Sequence, residues 1–187
     1  MSVPTGFLVV RSADPDRPRD NAGIPSRYSG VDRVPPYPTD DPDEQEPIEQ
    51  YVFGEYKDKA TNLIPSFDST VRLLRSLSSR KHKYEILFCS ENGDVVPNIE
   101  QVGLKVERLG YDVAAVRSDY WSIVGDFSRS EWASRFRNCL NESGLFRQRA
   151  DAEAYLTEYR DRGEPDGDSP FDVVFVARVS PLRNPPG

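Results

Sequence analysis

The alternation of apolar and polar residues along the chain predicts a domain that combines strands and helices. Residues 6–11 (GFLVVR), 84–90 (YEILFCS) and 171–179 (FDVVFVARV) are short apolar runs, and residues 48–56 (IEQYVFGEY) form a fourth, so each is a predicted strand. The second and third runs are apolar at consecutive positions in their middle. This pattern is typical of strands covered on both faces, as in the interior of a sheet.

Three further segments repeat apolar residues at helical spacing: 66–83, 128–144 and 150–163. The first of them gathers basic residues at its end, where the helix dipole favours positive charge. The second begins with a capping box formed by Ser128 and Glu131, and a capping box marks the start of a helix. Each of the three segments is therefore a predicted helix.

The middle of the sequence predicts a strand, a helix and a strand in succession. Residues 98–110 carry an apolar stripe at helical spacing and end in a glycine that can stop a helix: Ile99, Val102, Val106, Leu109 and then Gly110. Strands are predicted before this segment, at 84–90, and after it, at 111–116. Such a unit predicts a right-handed crossover between two parallel strands.

Residues 118–127 (SDYWSIVGDF) alternate between two faces. One parity carries Trp121, Ile123 and Phe127, and the other carries Tyr120, Ser122 and Asp126. Because only residues 117–119 are available for a turn, we expect a hairpin with the preceding strand. The apolar parity is expected to face the core.

Together these elements predict an α/β (α+β) fold, with a mixed sheet of about six strands and about four helices. The expected organisation is an N-terminal strand at 1–11, an arm at 12–47, one globular domain at 48–180 and a tail at 181–187. The arm carries eight of the chain's 16 prolines, which disfavour both helix and central strand. We therefore expect a long proline-rich loop or arm.

The charge of the chain narrows the classes of partner. The formal net charge is -7, and residues 1–56 hold 11 acidic and 5 basic side chains. Nucleic-acid binding depends on basic residues that neutralise phosphates, so a nucleic-acid partner is not expected. A basic protein suits this chain better, although net charge also serves solubility alone.

The arm ends in an acidic run, PTDDPDEQEPIEQ (38–50). Its candidate partner-binding residues are Asp40, Asp41, Asp43, Glu44 and Glu46. An EF-hand loop needs a glycine at the sharp turn where this run has prolines, so a metal is not expected here. Two interpretations stay open for the run: a solvated linker, or an arm that docks on a basic partner.

The sequence offers little for catalysis. The single histidine, His82, lies at the basic end of a predicted helix, and the chain contains no Gly-x-Ser-x-Gly elbow and no glycine-rich phosphate loop. Cys89 and Cys139 lie in apolar surroundings, where buried free thiols are the expected state. We expect a non-catalytic protein without a metal or cofactor.

The predicted hairpin supplies the second set of candidate contacts: Asp119, Tyr120 and Asp126. A tyrosine beside carboxylates is typical of a recognition surface, because aromatic anchors supply contact area and the acids select a basic partner. The alternative is that a helix covers this face and Tyr120 belongs to the core.

The segments LGYDVAAVRSDYWSIVGDF and NCLNESGLFRQRADAEAYL resemble those of small bacterial immunity proteins of polymorphic toxin systems. The resemblance covers about a third of the chain and assigns no residue a role, and the proline-rich arm departs from it. It implies a protein that binds one toxin domain, often a basic nuclease, and blocks its active site.

Two other hypotheses stay open. One is a metal-dependent enzyme with scattered carboxylates acting on a small substrate, for which the candidates near predicted strand ends are Asp94, Asp112, Asp119 and Asp126. The other is a subunit of a larger assembly, with the arm wrapped around a neighbouring chain. Since neither a membrane span nor a secretion signal is recognisable, a cytoplasmic location is expected.

Overall fold

The computed structural model describes residues 5–11, 63–77, 84–91, 93, 104–115, 121–124, 131–163 and 170–181. These residues form an α+β fold with one antiparallel sheet in the order β1-β2-β5-β3-β4. The strands are β1 (Thr5–Arg11), β2 (Tyr84–Ser90), β3 (Leu104–Ala115), β4 (Trp121–Ser122) and β5 (Asp172–Pro181). The longest contact is between β3 and β5, which pair along ten residues of β3.

Three α-helices lie in the described part of the chain: α1 (Phe67–Leu77), α2 (Glu131–Ser134) and α3 (Arg149–Asp161). A single 3-10 turn, Arg137–Cys139, follows α2. Helices α1 and α3 place apolar side chains against the same face of the sheet, with Leu73 from α1 and Tyr155 and Leu156 from α3. The described helices therefore pack on one face of the sheet, and α2 contributes Ala133 to the same contact.

The sheet is apolar on both faces. A helix-side cluster includes Ile86, Phe88, Val113, Phe175 and the helix residues Leu73, Ala152 and Tyr155. A far-side cluster comprises Leu8, Leu63, Leu87, Cys89, Leu109, Ala114, Leu145, Val174 and Val176. Because neighbouring strand residues alternate between the clusters, the clusters lie on opposite faces.

The edge strand β1, and the part of β3 that the short strand β4 does not cover, each receive extra backbone contacts. On β1, Phe7 exchanges two hydrogen bonds with Ile64, at 2.8 and 2.7 Å. A side chain at Gly6 would meet the Ile64 carbonyl at 2.7 Å, so this approach requires glycine. On β3, Tyr111 exchanges two bonds with Phe146, at 2.9 and 2.8 Å. These contacts shorten the unpaired length of each edge.

The predicted helix at 98–110 and the parallel crossover built on it are wrong. Residues 104–110 belong to β3, and every strand pairing in the described part of the chain is antiparallel, so the sheet there is not mixed. Gly110, predicted as a helix stop, lies at a register shift of β3 with φ +144°. The run Leu104 to Glu107 alternates apolar and charged residues, and pairing with β5 selects the strand.

The other element predictions are largely confirmed where the structure describes them. Strands are present at the three apolar runs near 6–11, 84–90 and 171–179, and helices at 67–77 and 149–161. The predicted helix at 128–144 is confirmed only as α2 and one 3-10 turn. The counts of six strands and four helices are not confirmed. The predicted strand at 48–56 and the arm lie outside the described residues.

Candidate binding site around strand β4

The residues predicted to contact a partner lie outside the part of the chain that the structure describes. They are Asp40, Asp41, Asp43, Glu44, Glu46, Asp119, Tyr120 and Asp126. The structure describes the short strand that the last three flank in the sequence. Tyr120 is joined directly to β4, and one residue separates Asp126 from Val124. The structure therefore describes this site through residues 121–124 and the side chains that form hydrogen bonds with them.

Backbone pairing places β4 at the end of β3. Ser122 lies opposite Ala114 and Trp121 opposite Ala115, in the antiparallel hairpin that the sequence predicts. The next residue continues the contact, since the Ile123 amide donates to the Val113 carbonyl at 3.0 Å. Ile123 is buried in the helix-side cluster, as its parity predicts. Pairing with β3 therefore fixes the backbone of residues 121–123.

A buried carboxylate holds the same residues from the far side of the sheet. Asp112, on β3, is only 3% exposed. Its Oδ1 accepts hydrogen bonds from the Ser122 hydroxyl at 2.5 Å and from the Val113 amide at 2.8 Å. The Ser122 Oγ in turn accepts a bond from the Val124 amide at 3.2 Å. Burying a carboxylate is costly unless such bonds replace water, so this group stabilises β4 in one position.

A tyrosine from α3 holds this segment from the helix side. The Tyr155 hydroxyl donates to the Ile123 carbonyl at 3.0 Å, and the residue is buried. Its ring lies among Trp132, Phe136 and Phe146, at centroid distances of 5.1, 5.3 and 5.4 Å. Because these rings restrict the tyrosine, its hydroxyl is a fixed donor. Residues 122–124 are thus bonded from both faces of the sheet.

Neither cysteine has the lowered pKa that is typical of an activated nucleophile. Burial raises the pKa of the Cys89 thiol strongly, and the nearby Asp112 charge raises it further. The pKa of Cys139 is also raised, first by burial and then by the charge and hydrogen bond of Asp151, while Arg147 opposes the shift. A nucleophilic cysteine needs the opposite shift, because the thiolate is the reactive form. Both thiols are free, with Cys89 buried and Cys139 partly exposed.

The metal-site hypothesis depends on Asp94, Asp112, Asp119 and Asp126. Only Asp112 is among the described residues, and its Oδ1 accepts the two bonds from Val113 and Ser122. Within the described ranges, no three His, Cys, Asp or Glu side chains are grouped so that they could hold a metal ion. Among the described residues, Asp112 therefore acts as a structural anchor for β4.

A second charged group covers the aromatic residues next to α3. Arg135 and Arg162 both form ion pairs with Glu158. The guanidinium carbon of Arg135 lies 5.0 Å from the centre of the Phe136 ring, and that of Arg162 lies 5.3 Å from the Trp132 ring. Cations over aromatic faces are a common way to cover such rings at a surface. We assign this group to packing of the helix layer.

Two parts of the β4 anchor were missed in the sequence: the pairing of Ser122 with Asp112, and the bond from Tyr155. The first had a usable signal, because the turn predicted at 117–119 would set Ser122 opposite Ala114, as observed, and diagonal to Asp112 on one face. The second had none, since the sequence predicted only that Tyr155 belongs to a helix at 150–163. Its partner is 32 residues away in the sequence.

Comparisons with known proteins give no match: no family model, no curated protein and no solved structure is similar to this chain. Among the described helices, none has the length and apolar character needed to span a bilayer. The function is therefore inferred from the residues and their geometry.

Proposed function

We propose that this chain is a non-catalytic binding protein, an immunity-type inhibitor that neutralises a basic toxin or enzyme by occluding its active site with an acidic surface. The contacts come from the acidic run at 40–46 and from Asp119, Tyr120 and Asp126 beside β4. The mechanism is steric and electrostatic and involves no turnover.

The observation that carries the proposal is the anchoring of β4. Ser122 and Ile123 are hydrogen-bonded to β3, and Ile123 is also hydrogen-bonded to Tyr155 on α3, so the segment is held from both faces of the sheet. A binding segment whose backbone is fixed in advance loses less conformational entropy when a partner binds. Acidic and aromatic residues lie within two positions of this fixed segment, which is the composition that a basic partner requires.

The charge of the chain gives independent support. A net charge of -7 attracts a basic partner over a range of about 10 Å at moderate ionic strength and so accelerates encounter. The two thiols do not have the lowered pKa of an activated nucleophile, since the pKa of each is raised. These properties favour binding over covalent chemistry.

The proposal predicts salt-dependent capture of a basic partner. We would immobilise the full chain, collect proteins from the native cell lysate, identify a basic partner, and measure its association rate and its enzymatic activity. Raising the salt concentration should slow association much more than it speeds dissociation, because surface charges steer the encounter. An equimolar amount of this chain should abolish the partner's activity.

A charge-matched pair of variants makes the test specific. One variant carries Asp119→Asn and Asp126→Asn, and the control carries Glu142→Gln and Asp161→Asn at two exposed sites. Both lose the same charge, so only the first should weaken inhibition if the residues beside β4 make the contact. Salt-independent association, equal loss in both variants, or multiple turnover of a small substrate by the purified chain would contradict the proposal.

A further inference from the structure

Strand β4 and the two residues after it make more hydrogen bonds than the backbone pairing of a short edge strand requires. A strand of two residues is joined to β3 by backbone pairing, yet three side-chain bonds converge on residues 122–124 as well. One of these side chains is an almost fully buried carboxylate, which proteins rarely place in an apolar sheet without hydrogen-bond partners. The other is a tyrosine restricted by its aromatic neighbours.

We infer that Asp112 and Tyr155 are positioning residues for the partner-binding segment, acting through Ser122 and Ile123. Asp112 fixes the segment from the far side of the sheet, and Tyr155 fixes it from the helix side. This inference rests on the proposed function. It adds that Asp112 and Tyr155 raise the affinity for the partner without contacting the partner themselves.

The bonds form a continuous path. Asp112 Oδ1 accepts from Ser122, whose Oγ accepts from the Val124 amide, so one carboxylate is linked to both Ser122 and Val124. On the other side, the Ile123 carbonyl accepts from Tyr155 while its amide donates to Val113. Loss of the Ser122 hydroxyl removes the link to Asp112 and the acceptor for Val124 together. The backbone pairing of Ser122 with Ala114 does not need that hydroxyl.

A matched pair of substitutions at Ser122 tests the far-side link. Ser122→Ala removes the hydroxyl, whereas Ser122→Thr keeps it and suits a strand. The probe is a synthetic oligolysine peptide, whose affinity for the full-length chain is measured by calorimetry at low salt. We expect Ser122→Ala to weaken binding roughly threefold to tenfold, as expected for one buried hydrogen bond, and Ser122→Thr to restore it. Ser134→Ala, which removes an exposed hydroxyl bonded to Glu131, is the control.

A second pair tests the helix-side link. Tyr155→Phe removes only the hydroxyl that bonds to Ile123, and should weaken oligolysine binding by a similar factor. Tyr111→Phe is the control, because it removes a buried tyrosine hydroxyl whose hydrogen-bond donor is the Arg108 guanidinium, at 3.5 Å. Hydrogen exchange of the Val124 and Ile123 amides should accelerate in Ser122→Ala and Tyr155→Phe, and not in the controls.

A double-mutant cycle separates positioning from general stability. Asp119→Asn with Asp126→Asn is measured in the native background and in Ser122→Ala. If Ser122 acts by positioning the segment, the loss from the amide substitutions should be smaller in the second background, because the contacts are already misplaced. Equal losses in the two backgrounds would overturn the positioning role.

The outcomes distinguish the inference from the function on which it rests. If the amide substitutions weaken oligolysine binding but Ser122→Ala and Tyr155→Phe do not, the positioning inference is wrong and the proposed function stands. If the amide substitutions leave binding unchanged, the proposed contact surface beside β4 is wrong, and the inference fails with it. Weakening by both sets, with rescue by Ser122→Thr, supports both.

Discussion

Two ionisable side chains on the far side of the sheet, Asp112 and Cys89, show how burial determines the chemical role of a residue. Both are almost inaccessible to solvent. Asp112 accepts hydrogen bonds from Ser122 and Val113, which replace the water it has lost. Cys89 has its pKa raised by burial and by the Asp112 charge, so it stays a neutral thiol. The carboxylate therefore organises the structure, and the thiol packs as an apolar group.

Cys139 is the more accessible thiol, and its reactivity provides a prediction at the residue scale. Burial and the negative charge of Asp151 raise its pKa. Asp151→Asn removes that charge, so the pKa should fall and the thiolate fraction at pH values below the pKa should rise. We expect alkylation of Cys139 by iodoacetamide to accelerate severalfold near neutral pH, as measured by mass spectrometry against pH.

The control for this experiment is Glu153→Gln, which neutralises another acid of α3 that does not contribute to the shift. Its alkylation rate should match that of the native chain. Cys89 should remain unmodified in all three proteins, because it is fully buried. Equal rates for Asp151→Asn and the native chain would contradict the assigned cause of the raised pKa.

At the scale of elements, β3 shows why one part of the fold was mispredicted. Ile99, Val102, Val106 and Leu109 fit a helical stripe, but Leu104 to Glu107 fit alternation equally well. Local pattern cannot choose between them, whereas pairing with β5 can. Strands whose apolar runs have no competing helical period, such as β2 and β5, were predicted correctly. The same limit applies to the site, since the bond from Tyr155 depends on tertiary placement.

Gly110 has a different role in the observed strand from the predicted helix stop. Its φ of +144° is a backbone conformation that other residues rarely adopt, and an added Cβ would lie 2.6 Å from the Phe146 carbonyl oxygen. It therefore allows the turn before Phe146 to approach the edge of β3. The Asn141 side chain reinforces this approach by donating to the Leu109 carbonyl at 2.5 Å.

Gly110→Ala should lower the free energy of unfolding by roughly 2 to 4 kcal/mol, because backbone strain and a steric clash act together. Gly163→Ala is the control: its φ is +70°, but nothing lies within 4 Å of an added Cβ. That change should cost only about 1 kcal/mol. Urea denaturation of both variants measures the difference, and equal costs would show that close approach to Phe146 adds nothing.

At the scale of the whole molecule, the sheet is a shared layer between two apolar clusters. Consecutive residues such as Val113 and Ala114 on β3, or Phe175 and Val176 on β5, point to opposite clusters. The interior strands β2, β5 and β3 therefore each contribute residues to both clusters. Arg178 adds a polar link across the same strands, bonding Glu85 on β2 and Glu107 on β3, each at 2.9 Å. Neither cluster can lose its packing without disturbing the strands that carry the other.

This arrangement predicts one cooperative unfolding transition, which a matched pair of substitutions can test. Val113→Ala truncates the helix-side cluster and Val174→Ala the far-side cluster, and both side chains are 0% exposed. Each loses two methylene equivalents and leaves a cavity, so each should cost roughly 2 to 3 kcal/mol. Both variants should shift the same single transition, whether it is followed by tryptophan fluorescence or by far-ultraviolet circular dichroism. If Val174→Ala shifted only the circular dichroism transition, the far-side cluster would unfold independently, and Asp112 could not transmit order from that face to β4.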